Sequence, residues 1–317
     1  MTRRDLIGRA AAALGLAGSL GACAAGQGDD PLAASYPPLG DFLTIDGVRL
    51  HYVEAGSGPP LVLIHGANGN IRDFTFSLVG RLEGRFRVIA IDRPGHGWSE
   101  RPVSGGDDPR VQARFFAGAA AALGAERALI AGHSWGGAVA AAWALDRPDQ
   151  VAGAAFLAGA THPWNGDGGL LYGLGASAIG PLVGAAARLY VTGSRRDSLI
   201  EDVFRPNEAP PGYTDYIGVE LALRPDAFRW NAEEIDRLNG YLAEMAPRYG
   251  ELAMPLEVMH GDADETVGLE IHSIPLAAAA RNANLTIFPG VGHMPHHVRE
   301  AEVAAGLGRL AEAAGFA

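Results

Sequence analysis

Three short stretches carry side chains that can do chemistry together. Residues 131–137 read AGHSWGG and set Ser134 between Gly132 and Gly136. Residues 260–267 read HGDADETV and offer Asp262 and Asp264; residues 290–297 read GVGHMPHH and offer His293. A serine hydroxyl is a poor nucleophile until a base takes its proton, and a histidine base works best when a carboxylate fixes its tautomer. The chain order serine, aspartate, histidine is one in which such groups meet on a parallel sheet. All 25 basic residues are arginine. That excludes a lysine Schiff base, a Ser–Lys dyad and a Walker-type phosphate lysine.

The elements that would position these groups alternate along the chain. FLTIDGVRLHYVEAG reads as a hairpin about Asp46-Gly47. PPLVLIHGA, RVIAIDRPGHG, RALIAGHS and VAGAAFLAGA are apolar runs bounded by Gly or Pro, as expected of strands buried on both faces. Helical stretches fall between them, near residues 74–83, 108–124 and 136–146. This alternation implies a parallel sheet covered by helices on both faces. Residues 161–237 break the rhythm with scattered Trp, Tyr, Gly and Pro and read as a helical insertion. PLEVMHGDAD and ANLTIFPGVGH then resume the strands, and the last 20 residues form a closing helix.

The stretch around Ser134 joins a buried strand to an Ala-rich helix. A serine at that turn needs strained backbone angles, and Gly132 and Gly136 let strand and helix pass closely. The Trp135 N–H then lies at a helix N-terminus, where it can face a developing oxyanion.

With these motifs the chain, from about residue 41 to its end, resembles the α/β-hydrolase superfamily. The resemblance rests on GHSWGG, on Gly261-Asp262-Ala263-Asp264, on the Gly-His at 292–293, on HGANGN after the third strand and on DRPGHGWS. It implies an α/β-hydrolase fold, with a mostly parallel eight-stranded sheet, helices on both faces and a helical lid insertion. It further implies Ser134 as nucleophile, His293 as base, Asp264 rather than Asp262 as acid, and Ala67 beside Trp135 in the oxyanion hole. The core is expected over 41–160 and 238–317, and the cap over 161–237. Asn68 is expected to line the substrate pocket.

Other candidates read as scaffold. His133 is expected to be a packed core histidine, His65 to shape the oxyanion loop, and Asp92 and His96 to be structural. His293, His296 and His297 are close in sequence, but Pro295 breaks the chain between them and no cysteine supports them. No metal and no cofactor are therefore expected. Halide displacement and epoxide opening are not expected, because both use a carboxylate nucleophile where this chain has Ser134.

The expected reaction is hydrolysis of a carboxylic ester of an apolar small molecule through an acyl-enzyme. Alternatives within the same constellation are C–C bond hydrolysis, lactone hydrolysis, aminopeptidase or perhydrolase activity. For the C–C case, Arg188, Arg195, Arg196 and Arg229 would hold substrate carboxylates. A binding protein without catalysis is the remaining class. The net charge of −11 argues against nucleic acid.

Residues 1–22 contain Arg3-Arg4 and a short Ala/Leu/Gly run, and they read as an export signal. Their removal would take away three arginines and one aspartate and move the charge from −11 to −13. Leu20-Gly21-Ala22-Cys23 resembles a lipobox. An exported protein anchored through lipidated Cys23, the chain's one cysteine, is the expectation, with 23–40 as a tether.

Overall fold

The computed structural model describes residues 31–166 and 169–316. The expected leader, Cys23 and the first part of the tether lie outside the described residues. Residues 31–37 belong to a unit of their own, with one 3-10 turn at Pro31–Ala33. The second unit begins at Pro38 and holds the sheet and its helices.

Its strands are β1 (Asp41–Ile45), β2 (Val48–Ala55), β3 (Pro60–Ile64), β4 (Arg87–Ile91), β5 (Ala128–His133), β6 (Val151–Leu157), β7 (Leu256–Gly261) and β8 (Ala283–Phe288). They form one sheet in the order β1-β2-β4-β3-β5-β6-β7-β8. The pairs β1–β2 and β2–β4 are antiparallel, and the remaining pairs are parallel. The β1–β2 hairpin turns on Asp46 and Gly47, whose φ values of 49° and 80° match a two-residue primed turn.

Helices cover both faces. Helices α1 (Arg72–Thr75) and α2 (Leu78–Leu82) follow β3; α3 (Pro109–Ala122) follows β4; α4 (Trp135–Asp146) follows β5. After β6 come α5 (Leu170–Gly175), α6 (Gly180–Tyr190), α7 (Ser194–Phe204), α8 (Tyr213–Ile217), α9 (Val219–Ala222) and α10 (Pro225–Met245). Helix α11 (Ser273–Ala279) joins β7 to β8, and α12 (Pro295–Val298) and α13 (Glu300–Ala313) close the chain. Among the described residues no helix is long and apolar enough to cross a membrane.

The alternation of strand side chains explains the continuous apolar runs. Val62, Ile64 and Ile130 point into one buried cluster with Phe116, Trp143 and Tyr249. Leu61, Leu63 and Leu129 point into the other, with Phe74, Leu307 and Leu310. Each strand thus serves two cores, which no amphipathic strand could do. Helix α4 is buried almost all round. Small residues let it approach β6, since a Cβ on Gly137 would come within 2.6 Å of the Gly159 Cα.

The helices after β6 form the expected cap. Helix α10 carries on through residue 237, the expected edge of the insertion, to Met245. Gly184 lets α6 lie against α10, where an added Cβ would sit 3.1 Å from Phe228. The opposite face of α6 exposes Leu182, Leu189 and Tyr190.

Candidate active site

Ser134 sits between β5 and α4 with φ 52° and ψ −121°. This positive φ is strained for a residue with a Cβ. The surroundings enforce it. The Ser134 N–H donates to the Leu157 carbonyl (3.1 Å), and its carbonyl accepts from Gly137 and Ala160 (both 2.9 Å). A Cβ on Gly132 would collide with the Gly136 carbonyl, and one on Gly136 with the Ile64 carbonyl. Ser134 itself is 9% exposed. Trp135 opens α4, so its N–H has no partner within the helix.

At the ends of β7 and β8 the structure brings Asp264 to His293. The His293 Nδ1 lies 2.8 Å from Asp264 Oδ2. A carboxylate can only accept, so Nδ1 carries the hydrogen and Nε2 holds a lone pair. Asp264 Oδ1 accepts from the backbone N–H groups of Thr266 (2.8 Å) and Val267 (2.9 Å). Burial pushes the Asp264 carboxyl up, but the donors His260 and His293 and the Val267 N–H outweigh it and hold it well below the carboxylate range. Asp262 is engaged elsewhere, accepting from the Gly290 N–H at 2.6 Å.

Sequence reading assigned no role to His260. Its Nε2 lies 3.1 Å from Asp264 Oδ2 and 2.7 Å from the Val267 carbonyl. Both are acceptors, so Nε2 is protonated and Nδ1 accepts from the Ser273 hydroxyl (2.6 Å). Asp264 is thereby held by two histidines. The β5 turn and the His293 loop are also joined directly, because His133 Nε2 donates to the His293 carbonyl at 3.0 Å.

The loop after β3 reaches the same place. A Cβ on Gly66 would lie 3.0 Å from the Ser134 Cβ, so Ala67 follows at the serine's side. His65 shapes this loop as expected. Its Nδ1 donates to the Gly66 carbonyl (2.9 Å) and its Nε2 accepts from the Arg93 N–H (2.9 Å). Burial first, and then the neighbouring Arg93, lower its pKa to about 3, so it stays neutral. Asp92 accepts from Ile71 and Trp98 backbone N–H groups (both 2.8 Å) and from His51 Nδ1 (2.7 Å), which is a scaffold role.

A buried ionic network backs the loop. Arg93 and Glu234 are both fully buried. The Arg93 guanidinium donates to Glu234 (2.8 Å), to Gln112 (3.1 Å) and to the Gly66 carbonyl (3.2 Å), and lies 4.2 Å over the Trp135 ring. His96 lies 2.9 Å from Glu234. Burial raises the Glu234 carboxyl, but Arg93 and His96 outweigh that and bring it down to about 2. Glu234 belongs to α10, so the cap is tied to the loop beside Ser134. Asn68, at φ 54°, makes a second tie. Its N–H donates to Asn231 Oδ1 (2.8 Å), Asn231 Nδ2 donates to Asn68 Oδ1 (2.7 Å), and Asn68 Nδ2 reaches the Tyr172 hydroxyl (3.3 Å). Asn231 and Glu234 carry no sequence signal, since their side-chain partners lie 122 to 163 residues away.

A family model described as alpha/beta hydrolase fold matches residues 59–300. The chain belongs to the α/β-hydrolase family. Curated relatives cover parts of this α/β-hydrolase. The dihydrolipoyllysine-residue acetyltransferase component of the acetoin cleaving system of Cupriavidus necator is 37% identical over 131 residues, or 41% of this chain and 33% of that protein. A soluble epoxide hydrolase of a Corynebacterium species is 41% identical over 107 residues, or 34% of this chain and 37% of that one. These matches span about a third of the length of those relatives. Among solved structures, a membrane phospholipase A described as a bacterial virulence factor superposes with a TM-score of 0.69 at 26% identity, covering 87% of this chain and 86% of that one. Family and fold thus agree over most of the chain.

Proposed function

We propose that the chain is a serine hydrolase that cleaves carboxylic esters through an acyl-enzyme. The observation that carries this reading is the serine at a strained strand–helix turn, joined through the His133–His293 contact to a histidine whose Nδ1 is bound to a buried carboxylate. In this mechanism His293 Nε2 takes the Ser134 proton as the hydroxyl oxygen attacks the ester carbonyl. The Trp135 and Ala67 N–H groups donate to the oxyanion, each contributing about 3 kcal/mol of transition-state stabilisation. The imidazolium, stabilised by Asp264, protonates the departing alkoxide. Water then gives a proton to His293 and attacks the acyl carbon, releasing the acid and restoring Ser134.

Two observations favour an ester over a dianionic C–C substrate. Arg196 is paired with Asp215 (2.7 Å) and Asp197 (3.2 Å), and Arg229 with Glu233 (2.5 Å), so neither is free to hold a substrate carboxylate. The structural neighbour at 26% identity is named a phospholipase A, which acts on an ester. Export and attachment through Cys23 belong to the same proposal, tested by whether a Cys23→Ser chain leaves the membrane fraction.

The deciding experiment assays p-nitrophenyl esters beside a dienoic keto acid and adds a fluorophosphonate probe. Ester turnover and labelling that both vanish in Ser134→Ala, with a rate loss of at least about 10³-fold, are expected. Turnover of the keto acid alone, or an unlabelled Ser134 in folded protein, would overturn the ester reading.

A further inference from the structure

Behind Ser134 lies a second cluster that the ester mechanism does not use. In sequence it reads as His293, His296 and His297. The fold sends His293 to Asp264 and puts Asp73 and His133 beside His296 instead. Asp73, His133 and His296 are all buried, and each places one ligand atom within 4.8 Å of the others.

The hydrogen-bond logic there is incomplete. His133 Nε2 faces the His293 carbonyl, an acceptor, so it carries the ring hydrogen. Its Nδ1 is therefore a lone pair, and it has no hydrogen-bond partner. That lone pair lies 3.7 Å from Asp73 Oδ2. Two electron-rich atoms face one another in a buried site, which is unfavourable unless a positive charge lies between them. Space beside this Nδ1 exists because residue 66 is glycine, where a Cβ would come within 3.1 Å.

We propose that Asp73 Oδ2, His133 Nδ1 and His296 Nε2 bind one divalent transition-metal ion of the zinc class. Two of the three ligand separations fit closely, and the third is within 4.8 Å. Tetrahedral bonds of about 2.0–2.1 Å put ligand atoms about 3.4 Å apart, and Oδ2 lies 3.1 Å from His296 Nε2 and 3.7 Å from His133 Nδ1. Two imidazoles with one carboxylate suit zinc-class ions, whereas calcium and magnesium want oxygen ligands. Asp73 is oriented for the task, because its Oδ1 accepts from the Tyr213 hydroxyl (2.7 Å) and His297 Nε2 (2.8 Å) and leaves Oδ2 for the ion. On binding, the His296 hydrogen moves from Nε2 to its unpartnered Nδ1, so ligation needs no net proton release. The ion would pin the turn holding Ser134 to the loop holding His293, which makes it a positioning ion.

The test reads metal content and stability, so it stands apart from ester turnover. Full-length protein is stripped with EDTA, reloaded with Zn²⁺ or Co²⁺ alone, and dialysed. About one ion per chain by mass spectrometry, visible d–d bands for Co²⁺ and a rise in Tm are expected. His133→Gln and His296→Gln should lose all three, while His162→Gln keeps them. Trace metal in the reloaded wild type, or equal loading in wild type and His296→Gln, would overturn the site. Should both ligand variants fail to fold, the wild-type Co²⁺ titration decides, and absence of d–d bands rejects the proposal.

Discussion

In the proposed mechanism Asp264 is the residue on which the chemistry turns. It accepts two backbone N–H groups and two imidazoles, so its geometry survives small changes while its charge does not. Asp264→Asn should therefore leave the fold intact and lower kcat by about 10⁴-fold, because the amide can impose the wrong tautomer on His293. Asp262→Asn should stay within a fewfold of wild type, since Asp262 only caps the Gly290 turn. Parallel ester assays of the two variants check both statements, and equal losses would reject the assignment. At this scale the sequence was informative where chemistry demands a fixed spacing. Ser134, Asp264 and His293 each sit in a short motif that contains glycine. Asp264 stood apart from Asp262 only through the family pattern. His260, which shares the Asp264 oxygen, stood in plain view four residues before it but had no rule attached.

At the scale of elements, glycines and one buried ion pair decide what can move. Gly136→Ala drives a Cβ into the Ile64 carbonyl, and backbone cannot yield as a side-chain end can. A loss of about 2–3 kcal/mol by chemical denaturation is expected, with ester activity falling too. Glu234→Ala leaves the Arg93 guanidinium buried without its counterion, and should cost about 3–5 kcal/mol. A shift in midpoint below about 1 kcal/mol would mean that Arg93 finds water or another carboxylate. The central strands were legible because each apolar run fills two cores at once. Helix α10 was less so. The expected boundary at 237 divides it, because the buried partners that hold Asn231 and Glu234 lie far away in the sequence.

The whole molecule inherits a pH dependence from the same tie. The Glu234 carboxyl sits at about 2 in the folded chain against 4.5 as its ordinary value. A depressed carboxylate contributes its stability fully above the unfolded value and loses it as pH falls toward the folded one. Between pH 5 and pH 3 wild type should therefore lose about 2 kcal/mol more than Glu234→Gln, read from urea midpoints at both pH values. Parallel slopes in the two proteins would show that the carboxyl titrates normally. The backbone at residue 134 has its own effect on durability. A side chain held at φ 52° costs on the order of 1–3 kcal/mol that glycine would not incur. Ser134→Gly should thus melt higher than the active chain while turning over nothing, so that selection for robustness alone would have discarded the very atom the enzyme needs.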